Sequence, residues 1–206
     1  MNLEQRWQCT WQALRLAPPA AAAADLFARY REPQRHYHTL QHLEECFACL
    51  DTAGDVAERR GEVELALWYH DAIYLPARPD NEAQSARLAL QVLRGCAADA
   101  AMEARVHALI LATRHAVQPV GRDAELLVDV DLAILGAPEA RYDAFESQIR
   151  AEYAAVPDLL FRHGRAKLLR EFLARPAIYS TALLHERLEA AARANLQRAL
   201  AALAAT

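Results

Sequence analysis

Three histidines fall within seven residues in the stretch Arg35-His36-Tyr37-His38-Thr39-Leu40-Gln41-His42-Leu43, in a chain of 206 residues that has only eight. Further on, His70-Asp71 sits inside LWYHDAIY, and Asp129 and Asp131 sit inside LLVDVDLAIL. A carboxylate set among Leu, Val and Ile on a core-facing helix loses its hydration, at a cost of several kcal/mol that a partner must offset. No lysine or arginine lies close to Asp71 or Asp131 in either segment, so a divalent cation is the other candidate partner. Imidazole and carboxylate together suit Mn, Fe, Co, Ni or Zn, and carboxylate with water also suits Mg. Along the chain the residues make the order H…HD…D, from His42 through His70 and Asp71 to the aspartates of DVD.

Helices must bring these groups together. Only six glycines occur, alanine and leucine abound, and no segment alternates like a strand, so the composition predicts an all-α fold. Apolar spacing, prolines and caps place helices at about 3–16, 20–31, 40–53, 62–74, 81–95, 101–115, 123–135, 138–155, 157–174 and 181–204. Thr39 reads as an N-cap and Gly54 as a stop for the third of them. The expectation is one compact bundle of about nine helices over residues 1–206, with a core at about 30–180 and the C-terminal helix packing on it. Hydrophobic residues make up 54% and charged residues 24%, a globular composition, and the net charge of −4 argues against a broad grip on nucleic acid polymer or anionic lipid. No apolar run approaches the roughly 18 residues that span a bilayer. The start MNLEQRWQCTWQ lacks the order of a secretion signal, so the chain reads as cytoplasmic. The scattered cysteines Cys9, Cys46, Cys49 and Cys96 read as reduced thiols, with Cys46 and Cys49 as core residues of one helix rather than a zinc or redox motif.

The H…HD…D order resembles the HD superfamily of metal-dependent phosphohydrolases. The strings EPQRHYHTLQHL, LWYHDAIY, DNEAQSA, DVDLAILGA and IRAEY, over about residues 30–180, are similar to a bacterial branch of that superfamily with unassigned substrate. The resemblance implies a helical HD domain with one divalent ion (Mn, Mg, Fe, Co, Ni or Zn) held by His42, His70, Asp71 and Asp131. Asp129 and Asp131 point about 200° apart on a helix, so only one can be a ligand, and Asp131 is nearer the apolar LAIL run. YHTLQH is also similar to a signature of the cyclic-nucleotide phosphodiesterases of the same superfamily, in which the earlier histidine is the acid; carried over, His38 protonates the leaving group and His36 has no role. Glu82 reads either as a first-turn carboxylate or, by analogy with alarmone-hydrolysing relatives, as a group orienting the attacking water. His115 reads either as an imidazolium at a helix C-terminus or as a contact to a second metal or a phosphate. Arg35, Arg114, Arg165 and Lys167 are candidate phosphate contacts, while His107 and His185 read as structural.

The expected activity is metal-dependent hydrolysis of a small phosphorylated molecule, nucleotides included. Two alternatives stand beside it: an HD-type di-iron oxygenase, and a non-catalytic, metal-stabilised nucleotide-binding module. A homodimer is compatible with the exposed helices.

Overall fold

The computed structural model describes residues 1–76 and 78–205. The fold is all-α, with ten α-helices and no strand among the described residues. They are α1 (Leu3–Leu14), α2 (Ala22–Arg29), α3 (Leu40–Thr52), α4 (Arg60–Tyr69), α5 (Asn81–Gly95), α6 (Ala100–Ala112), α7 (Arg122–Asp131), α8 (Glu139–Glu152), α9 (Asp158–Ala174) and α10 (Ala182–Ala205), with 3₁₀ turns at Gly54–Val56 and Leu132–Gly136. Among the described residues, none of these helices is long and apolar enough to cross a membrane.

Helix α4 is the axis of the bundle. Every residue from Glu62 to Tyr69 is buried, and α1, α3, α5, α6 and α7 all pack against it. A helix that is buried on every side needs its polar groups answered internally. Glu64 receives Arg6 at 3.0 Å, Arg60 at 3.1 Å and the Thr10 hydroxyl at 2.7 Å, and Thr10 in turn accepts the Trp68 indole N–H at 3.1 Å. This network, with Trp7 and Trp11 beside Trp68, binds α1 to α4. At the other termini, Asn2 and Gln5 form a capping box for α1, and Asp99 accepts the Met102 N–H at 2.7 Å to start α6.

Three helix ends differ from the sequence expectation. Thr39 occupies the N-cap position of α3 in extended conformation, but its side chain makes no capping hydrogen bond. The fourth helix stops at Tyr69 rather than near 74: the Ala72 amide closes a tight turn on the Tyr69 carbonyl at 3.0 Å, and the groups that follow find partners outside the helix. Arg35 donates to the Asp71 carbonyl at 2.6 Å and the Ala72 carbonyl at 3.0 Å. The Ile73 amide goes instead to the Ser85 hydroxyl at 3.0 Å and the Leu75 amide to Asn81 Oδ1 at 3.1 Å, so the start of α5 holds the outgoing chain. Helix α6 stops at Ala112, and His115 lies beyond it with a left-handed φ of 55°.

The 3₁₀ turn after α7 packs against α10 without room for a side chain at Gly136. A Cβ there would lie 2.7 Å from the Leu188 Cβ and 2.9 Å from the Leu188 carbonyl oxygen. Because backbone is the obstacle, Gly136→Ala must push α10 away, and overpacking of this kind costs about 2 kcal/mol. Urea denaturation of the variant checks this; an unchanged midpoint would mean that the contact is loose.

Candidate metal centre

His42 lies in the first turn of α3, His70 and Asp71 directly follow α4, and Asp131 is the last residue of α7. The packing of α3 and α7 on α4 turns this spread of ninety residues into one cluster. His42 Nε2 is 3.1 Å from His70 Nε2, 3.2 Å from Asp131 Oδ1 and 3.5 Å from Asp71 Oδ2. His70 Nε2 is 2.9 Å from Asp71 Oδ2 and 3.4 Å from Asp131 Oδ1. All four donor atoms lie within 4.8 Å of one another. The histidines are buried, and the Asp71 and Asp131 side chains are only 14% and 12% exposed.

The donor set fits a divalent ion. Metal–ligand bonds of about 2.1 Å at angles between 90° and 110° hold neighbouring donors about 3.0–3.4 Å apart, the spacing of these atoms. Among the described residues no lysine or arginine pairs with Asp71 or Asp131; their partners are imidazoles. His70 is also oriented for ligation: its Nδ1 is 2.8 Å from the Leu67 carbonyl, which can only accept, so in the neutral ring Nε2 is left with its lone pair toward the cluster. Burial alone lowers the His70 pKa, but Asp71 and Asp131 outweigh it and raise it well above the ordinary imidazole value. Burial likewise pushes the two carboxyls up, and His70 outweighs it and holds both below the carboxylate range. The cluster therefore draws positive charge.

Asp129 is no part of this cluster. Fully buried on the other side of α7, it accepts the Ser180 amide at 2.8 Å, the Thr181 amide at 2.7 Å and the Thr181 hydroxyl at 2.6 Å, which caps the start of α10. His115 reaches the cluster's edge, with Nε2 3.0 Å from Asp131 Oδ2. Its left-handed backbone and the Arg175 guanidinium on its carbonyl, at 2.6 Å, keep it there. It thus holds the second oxygen of Asp131 rather than ending a helix.

His38 stands beside the centre, and what fixes it is Glu152, a residue to which sequence reasoning assigns no role. Glu152 Oε1 accepts three consecutive amides, from His36 at 2.8 Å, Tyr37 at 2.8 Å and His38 at 3.0 Å, while Oε2 lies 2.7 Å from His38 Nδ1. The ring also stacks on Tyr74 with centroids 3.8 Å apart. One signal pointed to Glu152: it is the acidic residue in IRAEY, at the end of a helix whose Ile149 faces the core. His36 itself is exposed.

The cluster opens into a cavity of about 670 Å³ lined by His38, Asp71, Asp131, Glu82, Arg114 and His115 at one end. A smaller one of about 220 Å³ touches His42 and Asp131 beside Tyr37, Cys46 and the Glu45–Arg141 ion pair. Glu82 and Arg114 face each other at 3.8 Å. Arg165 also lines the large cavity, clamped by Glu146 at 3.1 and 2.6 Å. Two expected phosphate contacts are not there. The Arg35 guanidinium is wholly buried and spends its donors on Glu32 and on the carbonyls of His38, Asp71 and Ala72, so it braces the loop instead. Lys167 is 72% exposed on the outer side of α9, 3.9 Å from Glu171, and does not line the cavity. Cys46 is buried with Sγ 3.6 Å from His42 Nδ1, and Cys49 is a free thiol whose pKa burial raises to about 11; neither belongs to the metal-ligating group. His185 pairs with Glu189 at 3.4 Å and His107 is half-buried, both away from the cavity lining.

Compared with family models, with curated proteins and with solved structures, the chain matches none of them.

Two outcomes follow from this geometry. Wild-type protein dialysed against Mn²⁺ or Zn²⁺ should retain about one ion per chain, and His70→Ala or Asp71→Ala should retain almost none by elemental analysis, since each removes one of four donors and Asp71→Ala also removes half of the negative charge. Burial pushes the Glu152 carboxyl up, yet the His38 imidazole and the amides outweigh it and bring its pKa to about 2. Its contribution of about 3 kcal/mol is therefore present above pH 4.5 and is lost as pH falls from 4.5 toward 2. Acid titration of folding should show a shallower limb in Glu152→Gln than in wild type.

Proposed function

We propose that this protein is a metal-dependent hydrolase of phosphate esters or phosphoanhydrides on small molecules, in keeping with the HD-type pattern of its sequence. The reading rests on one observation: four donors converge at the end of a cavity that also presents a separately anchored imidazole, His38. Bound by His42, His70, Asp71 and Asp131, a divalent ion supplies Lewis acidity for activating water and polarising a phosphoryl oxygen.

The chain's own residues divide the remaining work. Glu152 accepts at His38 Nδ1, so Nδ1 carries a proton and Nε2 is the nitrogen that faces outward to exchange one. His38 delivers that proton to the leaving oxygen, while Glu152 and the Tyr74 stack keep the ring from rotating. Glu82, in the cavity lining beside Arg114, orients the attacking water, and Arg114, half-exposed and held only loosely by Glu82, is the side chain freest to meet a phosphoryl oxygen.

A screen of phosphorylated metabolites with Mn²⁺, Mg²⁺, Co²⁺, Ni²⁺ and Zn²⁺ tests the reading. His70→Ala and Asp71→Ala should abolish turnover, and His38→Ala should lower kcat about 10²- to 10⁴-fold while metal content stays unchanged. Turnover that survives loss of either metal residue would refute the mechanism. Two irons per chain with O₂ uptake would replace it with an oxygenase, and ligand-dependent stabilisation without any turnover would leave a binding module.

A further inference from the structure

Away from the metal centre, the large cavity changes character. The apolar part of its lining is built from Phe145 and Ile149 of α8 and from Leu160, Phe161, Leu168 and Phe172 of α9, with Phe145 packed on Tyr37 and Phe172 on His115 where the wall meets the metal end. On α9 the lining residues recur at helical spacing, so a whole face of that helix is turned to the cavity. Leu160 and Leu168 are nonetheless 63% and 40% exposed, so apolar surface in the cavity lining stays open to a ligand.

The guanidinium groups around this space are already engaged within the fold, although only Arg165 sits in a close ion pair. Arg165 is held by Glu146 and lies over the Phe145 ring at 5.1 Å. Arg175 is engaged with the His115 carbonyl and the Phe172 ring at 4.5 Å. Arg114 faces Glu82, and Glu171 adds another carboxylate to the lining. A divalent ion at the centre would be offset by Asp71 and Asp131. Nothing in the cavity supplies the several unpaired positive groups that a triphosphate chain demands.

Building on the hydrolase reading, we propose that the substrate carries a single phosphoryl group on an apolar body of alkyl or aromatic character, the phosphoryl end at the metal centre and the body along α8 and α9. Polyphosphates and small hydrophilic phosphates are then poor ligands. Each methylene buried along this wall should tighten binding about three- to fourfold.

Calorimetric titration of Mn²⁺-loaded protein with ethyl-, butyl- and hexylphosphonate, whose P–C bond cannot be hydrolysed, and with inorganic triphosphate tests this without requiring turnover. Affinity should climb with chain length, by about 10²-fold from ethyl to hexyl, and triphosphate should bind more weakly than hexylphosphonate. Leu168→Glu, at a half-exposed position that tolerates charge, should flatten the climb, whereas Leu159→Glu, on the same helix but outside the cavity lining, should leave it intact. Affinity independent of chain length, no binding of any phosphonate, or tightest binding of triphosphate would overturn the proposed substrate class. The matching alkyl phosphates separate the two readings: a preserved climb with no hydrolysis of them upholds the apolar selectivity and overturns the hydrolase.

Discussion

Two carboxylates almost withdrawn from water, with no lysine or arginine among the described residues to answer them, are the constraint around which this fold is arranged. Asp71 and Asp131 would repel each other and lose hydration if left alone, at a cost comparable to the whole stability of a domain this size. Two imidazoles facing them at 2.9–3.5 Å, with the lone pair of His70 aimed by the Leu67 carbonyl, convert that liability into a cation site. The requirement reaches outward. Helix α4 is buried on all sides where it brings His70 and Asp71 to the centre, so its own Glu64 needs the partners that Arg6, Arg60 and Thr10 supply.

The same logic explains the two bracing residues that flank the centre. Arg35 holds the chain that leaves α4 by binding the carbonyls of Asp71 and Ala72, and it also holds the His38 carbonyl, so one guanidinium sets the relation between the metal-side loop and the histidine-rich segment. Glu152 performs the complementary task with acceptors, collecting three consecutive amides and the His38 ring. A carboxylate that receives so many donors is ordered and strongly acidic, which is why His38 is rigid although it stands at a cavity wall.

Much of this was legible in the sequence, and the reason is local. Helix positions follow from alanine and leucine content, caps and prolines, and a histidine or aspartate inside an apolar helix stands out against its neighbours. Asp131 is preferred over Asp129 in the sequence for its place nearer the apolar LAIL run, and the structure gives Asp129 a full set of partners at the start of α10 instead. What escaped were relations between distant segments. Arg35 lies next to the histidines and reads as a phosphate ligand, but its role depends on carbonyls 36 and 37 residues away. Glu152 is 114 residues from the imidazole that it positions. The end at Tyr69 is overrun for the same cause, since the amides beyond it go to Ser85 and Asn81 of α5, whereas α6 ends in local turns ahead of His115 with its left-handed φ of 55°.

Chemistry and selection are built into different parts of the molecule. The metal-side donors sit on α3 and α7 and just after α4, elements held by the buried Glu64 ion pairs, by Asp129 at the start of α10 and by the tight α10 contact at Gly136. The apolar wall sits on α8 and α9, and α9 carries its exposed leucines at the surface. Replacing a lining side chain on that outer helix, other than Phe172 and the adjoining Arg175 that bear on His115, changes the shape and polarity of the cavity while the four donors stay on other elements. A fold divided in this way can alter what it accepts by substitution on one peripheral helix while the arrangement of its four central donors stays intact.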